Sequence, residues 1–386
     1  MRQRFIQSFP TSKDIQSALD NKELGKPYVA FSREEQIIDW NSKEIDYTGM
    51  PLTFEIISGG TIGLISYYNT KTKYEYQIND GEIVTGQVDS NAYTNISLNA
   101  GDVIKIRGFE NTQNGGLSVS PDADLVFNIY GNVASLGSTQ VKLSLAGKHV
   151  ISAENLVMLD PYFKYEGLFK GCTDLITAPK LPATKLASSC YSDMFSGCTS
   201  LTTAPALPAT TLASNCYNGM FQGCTSLTTA PELPATTLAD NCYANMFAGC
   251  TNLTQAPELP VTKLAAGCYQ FMFQGCTSLT TAPELPATTL PTRCYSYMFE
   301  DCTNLTQAPE LPATTLADYC YEHMFYECSK LNYIKCLATD MSASSCKYMW
   351  VYNTHATGTF VKHPNATWTT GESGIPNGWT VENAVI

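Results

Sequence analysis

The sequence predicts a mainly β protein with short helical turns: an antiparallel β-sandwich followed by a solenoid of 26-residue coils. Three observations lead there. Between Phe169 and Trp350, four columns of residues recur every 26 positions over seven copies. The first column is Phe169, Phe195, Phe221, Phe247, Phe273, Phe299 and Phe325. Cys172 to Cys328 follow three residues later, then Leu175 to Leu331, and Cys190 to Cys346 form the fourth column. A fixed period of roughly 20–50 residues marks stacked repeats. The second observation is the apolar-polar alternation of residues 46–135, cut at short intervals by Gly- and Asn-rich turns. The third is the tail, 351–386, which leaves the period and brings in Trp368 and Trp379.

Taken in order, residues 1–45 form a polar segment too small to bury a core alone. Thr11 to Asp14 can cap a helix over Asp14–Leu24, which Lys26-Pro27 ends. Tyr28–Phe31 and Gln36–Trp40 read as two strands around a polar turn. In 46–135 the strand candidates are Leu52–Ile57, Thr61–Tyr67, Tyr74–Ile78, Ile83–Val88, Ala92–Leu98, Val103–Arg107 and Leu125–Tyr130. Between them lie Ser58-Gly59-Gly60, Asn79-Asp80-Gly81 and Asn99-Ala100-Gly101-Asp102, which suit positive φ. Ser58 to Gly63, glycine-rich but without a basic partner, reads as a hairpin.

Residues 136–350 make the solenoid, with 136–168 as its N-terminal cap and Val141–Leu145 as a strand. Within a unit, Leu227, Ala230, Leu233, Leu238, Cys242, Met246 and Phe247 are expected to point inward. The Leu-Thr-Thr-Ala segment suits one parallel strand per coil, ended by Pro231 and Pro234. Cys-Tyr-x-x-Met-Phe suits one helical or 3₁₀ turn. Residues 351–386 are the C-terminal cap, with aromatic mass concentrated where the last coil needs cover.

The composition narrows the chemistry. A net charge of −12 disfavours a nucleic-acid groove and is read as a solubility feature. No long apolar run predicts membrane insertion. The opening residues lack the apolar stretch of a secretory signal, so general secretion is not expected. Fourteen of the 15 cysteines fall in two columns, with Cys336 apart. One phase in every coil points to buried thiols; a disulfide staircase is the other reading, and no CxxC pair supports zinc. His149, His323, His355 and His363 stand in no metal or catalytic pattern, and no nucleophile or phosphate-binding motif occurs. No catalytic residue, cofactor or enzyme activity is expected. The column Glu232, Glu258, Glu284, Glu310 reads as solvated turn carboxylates or as a seat for a cation such as calcium.

Binding is expected where the columns vary. One variable column reads Asp193, Gly219, Asn245, Phe271, Tyr297, His323; another reads Ser196, Gln222, Ala248, Gln274, Glu300, Tyr326. Phe271, Tyr297, His323 and Tyr326 are the partner-binding candidates, because exposed aromatics anchor interfaces. Packing against a neighbouring loop or chain is the alternative. The strand face carries Thr229, Gln255, Thr281 and Gln307, able to meet a sugar chain or water.

Met220–Leu227 and Met272–Leu279, each Met-Phe-x-Gly-Cys-Thr-Ser-Leu, make the repeat resemble the BspA-type leucine-rich repeat of bacterial and phage surface proteins. The unit is longer than the family's commonest form. Pro51 to Leu136 looks like the β-sandwich module that often precedes such repeats, and Trp368 to Thr380 like the tail that often follows. Ala18-Leu19-Asp20 and Lys26-Pro27-Tyr28-Val29-Ala30 are similar to N-terminal segments of virion proteins in crAss-like Bacteroides phages. These resemblances imply a leucine-rich-repeat virion protein, a head fibre, capsid decoration or tail component. Residues 1–45 would bind other virion proteins, with Tyr28, Val29, Phe31 and Trp40 as anchors. The solenoid would meet a host-surface protein or glycan. A homo-trimer is common among fibres, but no heptads encode one here. A bacterial cell-surface BspA-like adhesin and a carbohydrate-binding protein using residues 46–135 are the alternatives.

Overall fold

The computed structural model describes residues 28–31, 35–38, 50–66, 71–90, 92–108, 117–136, 142–158 and 165–385. The helix expected over Asp14–Leu24, and Trp40, lie outside them. The chain divides into two compact units, 1–159 with 177–180, and 160–176 with 181–386.

In the first unit, β1 (Tyr28–Phe31) and β2 (Glu35–Ile38) pair antiparallel, Tyr28 opposite Ile38. Eight strands follow: β3 (Leu52–Ser58), β4 (Gly60–Ser66), β5 (Thr72–Ile78), β6 (Val84–Val88), β7 (Thr94–Leu98), β8 (Val103–Gly108), β9 (Leu117–Pro121) and β10 (Val126–Asn132). A 3₁₀ turn, Val133–Leu136, precedes β11 (Lys142–Leu143), β12 (His149–Ser152) and β13 (Leu156–Val157). One sheet has the order β12-β10-β3-β8-β5-β6, with β13 also on β10; the other is β11-β9-β4-β7. The pairings among β3 to β10 are antiparallel, as alternation predicts, but β11, β12 and β13 add parallel edges. Both sheets are therefore mixed.

Alternate residues of both sheets are buried, among them Leu52, Phe54, Ile56, Ile62, Leu64, Ile104 and Phe127. Ser58-Gly59-Gly60 does not close a hairpin. It carries the chain from β3 in one sheet to β4 in the other. Gly59 is required there by close approach: a Cβ would stand 2.8 Å from the Leu98 carbonyl oxygen. The residues expected as the N-terminal cap are shared out. β11, β12 and β13 pair with strands of the first unit, whereas Tyr165 and Leu168 belong to the second.

The second unit is the solenoid; coils 1 to 7 are numbered here by the residues 193, 219, 245, 271, 297, 323 and 349, and Gly167 holds the same position one period earlier. Its Phe rings stack from Phe169 to Phe325 with centroids 5.5–5.8 Å apart. A parallel stack of Tyr191, Tyr217, Tyr243, Tyr269, Tyr295 and Tyr321 runs beside it and ends on Trp350. Tyr243 is thus an inward residue that hydropathy alone does not single out, while Ala230 and Leu238 are only half-buried. All 15 cysteines are free and buried. Their columns do more than fill space. The Phe221 carbonyl accepts from Cys224 N at 3.0 Å and from Cys250 Sγ, one coil on, at 3.1 Å. The same thiol bond recurs from Cys198 to Cys328 at 3.0–3.2 Å.

The expected strand per coil shrinks to single bridges such as Thr229↔Gln255. Proline explains this, since Pro257 and Pro283 offer no N–H to a ladder. Where Lys335 stands in the place of Pro309, a four-residue strand forms, β14 (Tyr333–Cys336). It pairs parallel with β15 (Thr359–Lys362), which pairs parallel with β16 (Thr380–Asn383). Trp350 is fully buried under Trp368, at 5.5 Å, and its Nε1 donates to the Gly374 carbonyl at 2.8 Å.

Candidate functional site: the turn face of the solenoid

The segment expected as a helical turn is instead a ribbon of four-residue turns. In coil 2, Cys216, Asn218, Met220, Gln222 and Cys224 each donate to the carbonyl three residues back, at 3.0–3.2 Å. The residues between them, Asn215, Tyr217, Gly219, Phe221 and Gly223, donate instead to the next coil at 2.7–3.0 Å. Every backbone N–H of the ribbon is used, alternately within and between coils. Closing each turn needs positive φ at every fourth residue, and Asn215, Gly219 and Gly223 have φ of 57°, 60° and 71°. The intervening pairs, Cys216-Tyr217 and Met220-Phe221, point into the core. The left-handed residues lie on the other side, so each coil presents three of them on its turn face.

Left-handed backbone costs an L-residue roughly 1–2 kcal/mol, and Gly, Asn and Asp bear it best. Coils 1–3 place Asp193, Gly219 and Asn245 at the middle such position. Coils 4–6 place Phe271, Tyr297 and His323 there, at φ 57°, 59° and 52°. The flanking positions change alike. Gly197, Gly223, Gly249 and Gly275 give way to Asp301 and Glu327, and Asn215 and Asn241 to Arg293 and Tyr319.

The structure brings all four sequence-predicted residues together. Phe271 and Tyr297 stack at 4.5 Å, Tyr297 and His323 meet at 4.6 Å, and His323 and Tyr326 stack at 4.8 Å. Two residues missed from sequence extend the ladder. Tyr352 stacks on Tyr326 at 4.7 Å, and Tyr348, half exposed, lies 5.6 Å from His323. Tyr352 was findable, because it continues the Tyr326 column by one period.

Carboxylates border the ladder. His323 Nδ1 is buried without a hydrogen-bond partner, 3.9 Å from Glu300 Oε1. Burial holds the His323 imidazole below its ordinary pKa and raises that of Glu300. Burial and then the neighbouring Glu327 raise Asp301. Tyr297 is raised by burial first, then by Glu322 and Glu300. Glu322 Oε2 accepts from Ser296 Oγ at 3.3 Å, and Glu327 accepts from Asn353 Nδ2. Arg293 lies over the Tyr319 ring, 4.8 Å from its centroid.

Comparison with known families bears on the repeat alone. Residues 165–280 and 245–354 match the BspA type leucine rich repeat region, in six copies. Over residues 165–354, just under half of the chain, the solenoid is similar to the BspA-type leucine-rich repeat. No curated protein and no solved structure matches the chain.

Elsewhere in the solenoid, burial suppresses the cysteines as nucleophiles. Burial pushes its thiols up, Cys190 to about 11 and Cys242 to about 12, so no thiolate forms at neutral pH. Glu232, Glu258, Glu284 and Glu310 are exposed, and Glu310 pairs with Lys335 at 2.9 Å. Glu258 and Glu284 flank a groove of 680 Å³ with Gln255 and Thr281. Among the described residues no three His, Cys, Asp or Glu side chains gather as a metal site needs. His355 and His363 make local turn contacts, to Thr357 and Asn365. Of the N-terminal candidates, Tyr28, Val29 and Phe31 lie on β1. Among the described residues no helix is long and apolar enough to cross a membrane.

Proposed function

We propose that the protein is a non-enzymatic, surface-displayed adhesive protein that meets a host-surface partner through the aromatic turn face of its BspA-type solenoid. One observation carries this reading. Phe271 and Tyr297 occupy left-handed positions that the earlier coils give to Gly, Asn or Asp. The fold does not ask for aromatics there, and backbone strain kept at one place points to use at that place. Stacked tyrosines suit a contact surface, since each combines a large apolar body with a hydroxyl.

The finer placement is on a phage particle, with residues 1–45 as the anchor to other virion proteins. Its support is the resemblance of Ala18-Leu19-Asp20 and Lys26 to Ala30 to virion proteins of crAss-like phages. Deleting residues 1–45 in the phage genome is expected to abolish incorporation while leaving the rest of the chain soluble in the lysate. Normal incorporation would sink the anchoring role. Detection of the protein on a bacterial envelope instead would move the same adhesive face to a cell-surface adhesin.

A further inference from the structure

We infer that the partner of this face is a polypeptide surface rich in arginine and lysine, not a neutral glycan. The inference rests on the adhesive reading above and goes further by naming the partner's chemistry.

Ring geometry leaves the middle of the ladder without the usual sugar platform. A sugar packs its C–H face on an open aromatic face. Here Tyr297 lies between Phe271 and His323, and Tyr326 between His323 and Tyr352, all at 4.5–4.8 Å. Both faces of Tyr297 and Tyr326 are thus covered, so what these two offer are ring edges and hydroxyls, and the ladder's open aromatic area is confined to its end at Tyr348 and Tyr352. Ring edges carry the positive end of the quadrupole and hydroxyls can accept or donate hydrogen bonds. Such a ridge suits the rim of a protein interface.

Charge then selects the partner. Glu300, Asp301, Glu322 and Glu327 border the ridge over two successive coils. The neighbouring cations are engaged elsewhere. Arg293 covers Tyr319, Lys330 Nζ donates to Asn304 Oδ1 at 2.6 Å, Lys335 pairs with Glu310, and Lys347 Nζ donates to the Ser373 carbonyl at 2.6 Å. The carboxylates Asp301 and Glu327 repel one another, and His323 Nδ1 stays unpaired beside Glu300. A guanidinium or ammonium arriving from outside relieves that repulsion. Guanidinium also binds carboxylate in a fixed fork, which orients the partner as well as attracting it.

The test uses the full chain and an immobilised alternating Arg-Gly peptide, with a Glu-Gly peptide and a neutral glycan array as comparators. Two variants are made, Asp301→Asn/Glu322→Gln/Glu327→Gln and Glu232→Gln/Glu258→Gln/Glu284→Gln. Each removes three charges, taking the net charge from −12 to −9. The first is expected to bind the Arg-Gly peptide roughly tenfold more weakly, and the second within about twofold of the parent. Binding should also fall as salt rises. Equal losses in the two variants would mean attraction by net charge alone and would overturn the inference. So would saturable binding of a neutral glycan that Tyr326→Ser abolishes, although the adhesive role of the ridge would then stand. Host-cell attachment unchanged by Tyr297→Gly with Tyr326→Ser would remove the adhesive reading itself. Melting curves of all variants confirm that a lost signal is not a lost fold.

Discussion

Coils 1–3 and coils 4–6 of the solenoid are built on one buried spine and present different turn faces. Met220 and Phe221 in coil 2 are as buried as Met298 and Phe299 in coil 5. The hydrogen bonds between coils agree closely, Phe221 N to Met246 O at 2.9 Å and Phe299 N to Met324 O at 3.0 Å. Yet coil 2 gives its three left-handed positions to Asn215, Gly219 and Gly223, and coil 5 gives them to Arg293, Tyr297 and Asp301. The early coils show what the fold requires. The later coils depart from that requirement on the turn face, and that departure is what the proposed adhesive role uses.

The largest effects should not distinguish the two halves. Phe247→Ala and Phe299→Ala each remove a fully buried ring from the spine, and each is expected to cost about 3–5 kcal/mol in chemical denaturation. A large inequality would mean that the aromatic face also supports the core. The 15 thiols should behave alike in both halves too. In native protein they are expected to resist iodoacetamide at neutral pH, and to react fully once unfolded, because burial suppresses the thiolate. Rapid labelling confined to coils 4–6 would break the equivalence of the spines.

Smaller effects should separate the halves. Asn245→Tyr puts an aromatic on a left-handed residue of coil 3 and is expected to cost about 1 kcal/mol. Tyr297→Gly relieves the same strain in coil 5 but loses the stack, so its stability should change by less than about 1 kcal/mol. The smallest effect is the pH dependence of His323. Its folded pKa lies below the ordinary 6.5, so the unfolded chain binds the proton first. Stability is therefore expected to fall as pH drops through and below 6.5. Glu300 acts oppositely. Its folded pKa is raised above 4.5, so the fold holds the proton longer and the burial penalty is relieved as pH falls toward 4.5. Melting temperatures of the parent and His323→Gln between neutral pH and pH 5.5 read the histidine part; a parent that gains stability relative to the variant on acidification would contradict the sign.

Much of this was legible in the sequence, and the gaps have physical causes. Constant columns located the spine because a stacked coil admits one residue size at each phase. The four aromatic candidates were visible as breaks in otherwise regular columns. The four-residue turn ribbon was not, because Gly197 to Gly275 disclose one left-handed column while Tyr297 and Arg293 disguise the others. Tyr243 escaped inward assignment because its hydroxyl makes it read as amphipathic. Ser58-Gly59-Gly60 has hairpin chemistry, and only strand pairing reveals that it crosses between sheets. β9 was hidden by its serines and Pro121, and β15 and β16 by lying outside the repeat.

The most direct test gives the later coils the residues of the earlier ones, in the triple variant Phe271→Asn, Tyr297→Gly, His323→Asn, and measures melting and host-cell attachment on the same preparation. The expected result is a fold at least as stable as the parent, with attachment lost. A variant that melts well below the parent yet still attaches would show that the aromatic ladder serves the fold and not the partner.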